Sequence, residues 1–213
     1  MKRTTSFIFS LLCLGLLNAQ SNVKVTFSNA IALNIKQLES DTPEVVKKHT
    51  MERIQNIRFL SYMTIEDELV YYEIKSKSID NKESEKIATS TTKYYMVPSI
   101  QMKIPEEKYL KNNKENSIAS YVDKKLQSEK LPSITWKKSG KQKKILGYNC
   151  YEAKGILEGK PVSIYYTTEI RGSGSPEKIP SINGVILEYT TNKRSGVATK
   201  VEFNQPKIKN FLK

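Results

Sequence analysis

The sequence predicts a mainly β or α+β protein, built on a curved antiparallel sheet that forms an incomplete barrel with one or two helices packed on its concave face. Three observations support this class. From about residue 134 onward, apolar and polar side chains alternate with the period of a strand. Short turn signals separate these runs. A single clear helix start, Asp41-Thr42-Pro43-Glu44, lies near the N-terminal end.

The N-terminus has the three parts of a secretory signal peptide. Lys2 and Arg3 are followed by an apolar stretch over residues 7–17 and by the small residue Ala19. We therefore predict cleavage before Gln20, which leaves a single domain over residues 20–213 in the periplasm or secreted. Lipidation at Cys13 is disfavoured because the large Leu12 precedes it. No later apolar run has spanning length, so no transmembrane span is expected after cleavage.

A strand and a helix are predicted to open the mature domain. Residues 23–33 begin with strict apolar and polar alternation, which is typical of a strand. Asp41 is predicted to be the N-cap of the helix, with Glu44 as its capping-box partner. Val46 and Ile54 lie on one face of this helix and are expected to pack on the sheet.

The middle of the chain gives weaker signals. Strands are predicted over residues 59–63 and 69–72, joined by an acidic turn, and over 94–97 before a proline. Residues 75–93 are mostly polar and are predicted to form a long exposed loop. Residues 106–130 are highly charged, and the pattern leaves a helix and further loop as alternatives.

The C-terminal region predicts an antiparallel meander. Its turn signals are Ser139-Gly140 and Glu158-Gly159, and a Gly-Ser-Pro stretch over 171–180 interrupts the pairing. Because consecutive strands with short turns pair as neighbours, the runs should form one sheet. These runs begin at Ile134 and Trp136 and continue over 145–156, 162–166, 185–189 and 197–203.

The chain is strongly basic, with a formal net charge of +13 that falls to about +11 when Lys2 and Arg3 leave with the signal peptide. Such a charge favours an acidic envelope partner. The basic residues are mainly lysine, whereas arginine is better suited to forked phosphate and base-edge contacts. The lysines are also dispersed among glutamates along the chain. We therefore expect no nucleic-acid partner and interpret most lysines as a solvated surface.

Catalytic and metal-binding signals are sparse. His49 is the only histidine, so it has no histidine partner, and we interpret it as a structural side chain. Cys150 is the only cysteine left after cleavage and is interpreted as a packed strand residue. No nucleophile elbow, phosphate loop or zinc-binding helix is present, and we expect neither a cofactor nor a metal. Paired carboxylates stay open, with Glu152 and Glu169 as the first candidates.

Several blocks in the C-terminal region resemble the GLPGLI family of exported Bacteroidetes proteins over residues 130–205. The blocks are Trp136, residues 144–153, residues 165–170 and residues 184–188, and the motif positions retained are Gly147, Tyr148, Cys150, Gly184, Ile186 and Leu187. The resemblance implies a half-barrel similar to the lipoprotein carrier LolA. Independently, Gly184 follows Asn183 and is predicted to have a positive φ or a close backbone neighbour as the chain re-enters the sheet.

These observations favour a non-enzymatic envelope protein that binds an apolar small molecule, a lipid or a partner segment between the sheet and its helix. The first alternative is a basic interaction module that docks on an acidic envelope partner. A hydrolase that uses carboxylates is the third hypothesis. Amphipathic aromatic rings suit an apolar cavity, and the candidate lining residues are Trp136, Tyr148, Tyr165, Tyr166 and Tyr189.

Overall fold

The computed structural model describes residues 22–32, 42–75, 77–81, 85–90, 93–97, 100–122 and 125–208. Within them, fifteen strands and one helix follow one another along the chain. The helix, α1, spans Glu44–Gln55. The strands are β1 Asn22–Ile31, β2 Phe59–Glu66, β3 Leu69–Ile74, β4 Lys77–Asn81, β5 Glu85–Ser90, β6 Lys93–Val97, β7 Ile100–Ile104, β8 Glu107–Asn112, β9 Ser117–Val122, β10 Lys125–Lys130, β11 Lys137–Ile145, β12 Tyr148–Leu157, β13 Lys160–Thr167, β14 Val185–Thr190 and β15 Arg194–Phe203.

Eleven of these strands form one antiparallel sheet, in the order β10-β9-β8-β3-β2-β1-β15-β14-β13-β12-β11. The sheet is not closed into a barrel, and the predicted mainly β class is confirmed. N-terminal β1 lies at the centre, between β2 and C-terminal β15, so the two ends of the domain are joined by long-range pairing. The signal peptide, its cleavage site and Asp41 lie outside the described residues.

The predicted C-terminal meander is confirmed, because β11 to β15 pair in chain order. Glu158 and Gly159 both have positive φ, at 50° and 74°, as a two-residue hairpin turn requires. The predicted boundaries before this turn are wrong. Ile134 and Trp136 precede β11 without belonging to a strand, and the chain turns at Leu146-Gly147 inside the run predicted as one strand. Gly140 occupies a bulge within β11 and not a turn between strands.

Six strands between residues 69 and 112 pair into a two-stranded ribbon. β3 pairs with β8, β4 with β7 and β5 with β6. The predicted strands over 69–72 and 94–97 are confirmed as β3 and β6, whereas the expected loop over 75–93 is wrong. Residues 106–130 hold β8, β9 and β10, so the expected helix or loop there is wrong as well. β4, β5 and β10 are mainly polar, and the backbone ladder of a hairpin does not need an apolar face to form.

Helix α1 begins with Pro43 at its N-cap and has no side-chain cap. Val46 and Ile54 are buried as predicted, together with Thr50 and Met51. The helix contacts β1 and the ribbon strand β6. No helix in the described part of the chain is both long and apolar enough to cross a bilayer.

The core lies on one face of the main sheet, where strand alternation points Val25, Phe27, Met63 and Tyr72 in the same direction. Residues 168–184, which connect β13 to β14, pack on this face, and we call this segment the cover loop. Ile170 and Ile179 of the cover loop are buried. Its Gly174 forms a bridge with Val185, with a 2.9 Å hydrogen bond from the Ile186 amide to the Gly174 carbonyl. The cover loop therefore covers part of the apolar face of the sheet. In other sheet proteins a second layer of secondary structure does this.

Candidate functional site

A pocket of about 470 Å³ opens where four elements end near one another. They are the start of β8, the β12–β13 turn, the β14–β15 turn and the cover loop. The pocket is open to solvent and lined mainly by polar side chains, which we call the polar pocket. Its lining residues are Glu107, Tyr109, Leu157, Glu158, Lys160, Pro161, Val162, Glu177, Lys178, Ile179, Thr191, Asn192, Lys193 and Arg194.

A forked ion pair crosses the base of the polar pocket and links distant parts of the sheet. Arg194 Nη2 lies 2.5 Å from Glu107 Oε1, and Arg194 Nη1 lies 3.0 Å from Glu107 Oε2. The turn that presents Arg194 is fixed by Thr191, whose amide donates to the Arg194 carbonyl at 2.8 Å. Both charged side chains are about four-fifths buried, since each is 19% exposed. Two parallel hydrogen bonds fix the orientation of the guanidinium as well as its position.

The cover loop contributes a second carboxyl group, Glu177, to the same guanidinium. Its Oε1 lies 3.5 Å from Arg194 Nη1 and 3.0 Å from the Tyr189 hydroxyl. The Tyr189 hydroxyl also lies 2.7 Å from Asn29 Oδ1, and the Asn29 amide donates to Ser61 Oγ at 2.9 Å. A continuous hydrogen-bonded chain therefore runs from the pocket into the middle of the core.

The two carboxyl groups on Arg194 have opposite pKa shifts. Burial acts to raise the pKa of Glu107, but the hydrogen bonds and charge of Arg194 outweigh it, and the pKa falls below its usual range. Burial raises the pKa of Glu177 above its usual range and outweighs the charge of Arg194. Burial likewise raises the pKa of Tyr189. The arrangement places two carboxyl groups with opposite pKa shifts at the same guanidinium.

Lys111 lies deeper under the cover loop and is completely buried. Its ammonium group donates to Ser175 Oγ at 2.8 Å, to the Ile179 carbonyl at 3.4 Å and to the Ser175 carbonyl. Burial lowers the pKa of Lys111 to about 7, against the opposing charge of Glu177. Lys111 therefore fastens the cover loop to β8 through a group that titrates near neutrality.

A second, larger groove of about 880 Å³ adjoins the polar pocket. The two share Pro161, Val162, Thr191 and Asn192. Residues 133–135 form one wall and pack over Gly155, where an added Cβ would lie 2.7 Å from the Ile134 side chain. Among the described residues, no group of three or more potential metal ligands comes together.

The five aromatic residues predicted to line a ligand cavity lie in the core or pack against it. Tyr166 and Tyr189 are buried in the core, and only Tyr189 reaches the polar cluster. Tyr165 is half-buried under the Lys143 ammonium, 3.9 Å from the ring centroid. Tyr148 is half-buried at the start of β12, and Trp136 is half-buried beside the core with its Nε1 unpaired within the described residues.

The motif positions have structural explanations. Gly184 has a φ of 140°, and an added Cβ would lie 2.5 Å from the Thr167 carbonyl oxygen, so the prediction for this glycine is confirmed. Gly147 completes the β11–β12 turn at a φ of 89°. Cys150 is a buried free thiol, as predicted, and burial raises its pKa to about 11. Ile186 and Leu187 are core residues.

Sequence reasoning missed the residues of the polar pocket. Glu107 and Tyr109 lie in a stretch that gave no clear element, and Glu177 lies in a segment interpreted as an interruption of pairing. Arg194 offered the only signal, because it is one of few arginines in a lysine-rich chain. Arginine is the cation suited to a buried forked pair.

Comparison with known protein families gives one match. The profile described as "N-glycanase peptide, N-terminal domain" matches residues 68–212, which is more than half of the chain. The chain belongs to this family. No curated protein sequence matches the chain. The matched region includes β3, the ribbon, the cover loop and every residue named above in the polar pocket.

Two solved structures of PNGF-II, in space groups C2 and P21, are similar to this N-glycanase-family chain. The TM-score is 0.53 for both, with 14% and 13% sequence identity. They cover 90% and 91% of the chain, but the chain spans only 29% and 30% of theirs. At this identity the likeness shows the fold alone.

The family match overturns two expectations from the sequence. The resemblance to the GLPGLI family and to a LolA-like carrier is wrong, because both the profile and the structural neighbours are N-glycanase proteins. The non-enzymatic carrier role is likewise not supported. The short blocks behind that resemblance are explained by hairpin turns and buried strand positions, which recur in unrelated antiparallel sheets. Export agrees with the match, since the family is a secreted one.

Proposed function

We propose that this chain is a substrate-binding domain of an N-glycanase system and that it binds the carbohydrate of N-glycosylated polypeptides in the polar pocket. The observation that carries the proposal is the pocket itself, which lies inside the region matched by the N-glycanase profile. The chain spans less than a third of the related solved proteins.

The lining of the polar pocket suits a sugar. Hydroxyl groups need donors and acceptors at fixed positions, and Glu107, Arg194 and Asn192 supply both kinds beside the ring of Tyr109. The ion pair is held in place before any ligand arrives, so little side-chain ordering is needed on binding. The volume of about 470 Å³ is at the size of small-ligand sites.

The proposal is tested by calorimetric titration of the chain with N,N′-diacetylchitobiose and with a peptide that carries an N-linked oligomannose chain. We expect binding that weakens about tenfold in Asn192→Ala, because an amide that binds a sugar hydroxyl contributes about 1–1.5 kcal/mol. Gln101→Ala is the matched control, since it removes an exposed amide on β7 away from the pocket. Absence of saccharide binding, or equal weakening in both variants, would overturn the proposal.

A second candidate function, hydrolysis in the same pocket, is favoured by the opposite pKa shifts of Glu107 and Glu177. Two neighbouring carboxyl groups whose environments shift their pKa values in opposite directions are the usual partners of general acid and general base. The test is mass-spectrometric detection of glycan release from the glycopeptide by the chain alone. Release that persists in Glu177→Gln would exclude Glu177 as the acid.

We also propose that residues 1–19 are removed on export and that the domain acts in the periplasm or outside the cell. The support is the signal-peptide pattern of the N-terminus. The intact mass of the protein recovered from the cell envelope or medium tests this, with a chain that starts at Gln20 as the expected result.

A further inference from the structure

One edge of the main sheet carries a concentrated positive charge. Strand β11 is the last strand of the sheet and pairs only with β12. Its sequence, KKSGKQKKI, has five lysines among nine residues, and its first eight residues are all exposed. We call Lys137, Lys138, Lys141, Lys143 and Lys144 the lysine edge. The lysines are therefore not evenly mixed with acids over the surface, as the whole sequence suggested.

Few carboxylates neutralise the lysine edge. Lys143 pairs with Glu188 at 2.6 Å. The hydrogen bond from Ser139, with the charges of Lys154 and Lys141, lowers the pKa of Glu152, so this carboxylate lies beside Lys141. Within the described residues no ion pair joins an acid to Lys137, Lys138 or Lys144. Lys137 lies directly opposite Lys154 on β12, and like charges at directly opposed positions destabilise a sheet. Lys154 is paired with Glu152 at 3.7 Å, and an anion bound beside Lys137 would relieve the remaining repulsion.

Protection of the edge against aggregation does not account for this charge. Lysine on an edge strand does discourage unwanted strand pairing. However, the opposite edge of the same sheet, β10, has only two lysines, one glutamate and an exposed Leu126. That glutamate, Glu129, is also paired with Lys178 at 2.6 Å. Edge strand β10 therefore carries little net positive charge, and the excess of lysines on β11 needs another explanation.

The geometry of β11 favours a partner that contacts side chains and not the backbone. Register shifts between Lys138 and Gln142, around the bulge where Gly140 has a φ of 80°. A bulge breaks the even row of backbone groups that an added peptide strand requires. Lysines at successive positions also point to both faces, so positive charge surrounds the edge over roughly 25 Å at about 3.3 Å per residue.

We propose that the lysine edge binds an acidic polysaccharide, a chain of sugars with repeated carboxylate or sulfate groups. Ammonium groups are compact point charges that suit such anions without the forked geometry of arginine. A polymer with an anionic group on successive sugars can follow the edge and contact several lysines at once. No lysine of the edge lines the polar pocket, although Lys137 lines the groove that adjoins it, so the domain would hold an anionic polymer beside a glycoprotein carbohydrate.

The test measures binding of the chain to heparin and to alginate by biolayer interferometry, at low and at high salt. We expect binding that salt suppresses, since exposed charges are screened within about 10 Å at 0.1 M ionic strength. The variant K137A/K138A/K141A/K144A should bind at least tenfold more weakly. The matched control K48A/K103A/K114A/K130A loses the same charge from exposed lysines elsewhere and should bind within about threefold of wild type, a small change on the affinity scale.

Three results would overturn the proposal. Equal weakening in the two quadruple variants would show that net charge alone is responsible. Poly-glutamate that competes as well as the polysaccharides would assign the edge to acidic polypeptides. Absence of binding to either polysaccharide at low salt would remove the site. Circular dichroism of both variants confirms that each is folded.

Discussion

The cover loop contacts the sheet in two chemically different ways. Gly174 and Gly184 approach the core so closely that no side chain fits, and an added Cβ at Gly174 would lie 2.3 Å from the Ile65 side chain. Between these two glycines, Glu177 bonds to Arg194 and Tyr189, and Ser175 bonds to Lys111, which is also buried. The first contact depends on shape, and the second depends on hydrogen bonding and charge.

The difference predicts how the stability of each contact responds to substitution. A close-packed contact fails when volume is added, because the interior has few voids. A buried polar contact fails when one partner is removed, because the other is left without compensation. The second kind also responds to pH, whereas the first does not. Four substitutions separate these behaviours.

The largest effect is expected at Gly184. An alanine there must adopt a φ of 140° and place its Cβ 2.5 Å from a backbone oxygen, so Gly184→Ala should lower the free energy of unfolding by about 3–4 kcal/mol. Urea denaturation measures this. Gly159→Ala is the control, because its φ is also positive but no atom lies within 4 Å, and it should cost about 1 kcal/mol. Equal losses would mean that backbone strain alone matters at Gly184.

The next largest loss of stability is expected at the polar contact of the cover loop. Arg194→Met leaves Glu107 and Glu177 buried without their shared cation and should lower the free energy of unfolding by about 2 kcal/mol, with allowance for the partial exposure of the pair. Thermal and urea unfolding measure it. Lys143→Met breaks a more exposed pair with Glu188 and should cost less than about 1 kcal/mol. The interpretation fails if the two variants are equally stable.

A smaller effect is expected at Tyr189. Tyr189→Phe keeps the packing of the ring but removes the hydroxyl that contacts Asn29 and Glu177, so we expect a loss of about 1–1.5 kcal/mol. Tyr165→Phe, on a half-buried ring under Lys143, is the control and should change stability by less than about 0.5 kcal/mol. A Tyr189 variant as stable as wild type would show that the chain of hydrogen bonds from Glu177 to Ser61 contributes nothing.

The smallest effect on the free energy of unfolding at neutral pH is expected for Lys111→Met, which should stay within about 1 kcal/mol of wild type. The variant loses the hydrogen bonds of Lys111 but no longer has to bury an amine, and these two effects oppose each other. The pH dependence is the sharper test. The pKa of Lys111 is about 7 in the folded protein, well below its ordinary 10.5, so above pH 7 the unfolded state binds more protons. Wild-type stability should therefore rise with pH relative to the variant, by roughly 2 kcal/mol between pH 7 and 9. Parallel curves for the two proteins would contradict the assignment.

The same division explains which parts of the fold were predictable. The β12–β13 hairpin was predicted because Glu158-Gly159 carries its own turn signal and its strands alternate cleanly. Strands β3 and β6 of the ribbon were predicted, but β4 and β5 were missed because they are mainly polar, and polar strands lack the alternation that marks a strand in sequence. The resemblance to another family was wrong for a related reason, since short apolar blocks report strand burial and not ancestry.

The polar pocket could not be predicted at all from local patterns. Glu107 and Arg194 are far apart in the chain, and their contact depends on the pairing of β1 with both β2 and β15. Glu177 reaches them only because the cover loop crosses the core face. Each side chain by itself resembles an ordinary surface charge. Convergence of single charges from separate elements leaves no periodic or spaced signal.

The sequence by itself determined the antiparallel β class, the C-terminal meander, the buried Cys150 and the special conformation of Gly184, because these depend on periodicity and on residues that are neighbours in the chain. The tertiary structure alone decided the ribbon, the packing of the cover loop on the core, the polar pocket and the position of the five lysines of β11 at one edge of the sheet. These features arise from pairing between distant strands, and long-range pairing is set by the global balance of burial and hydrogen bonding.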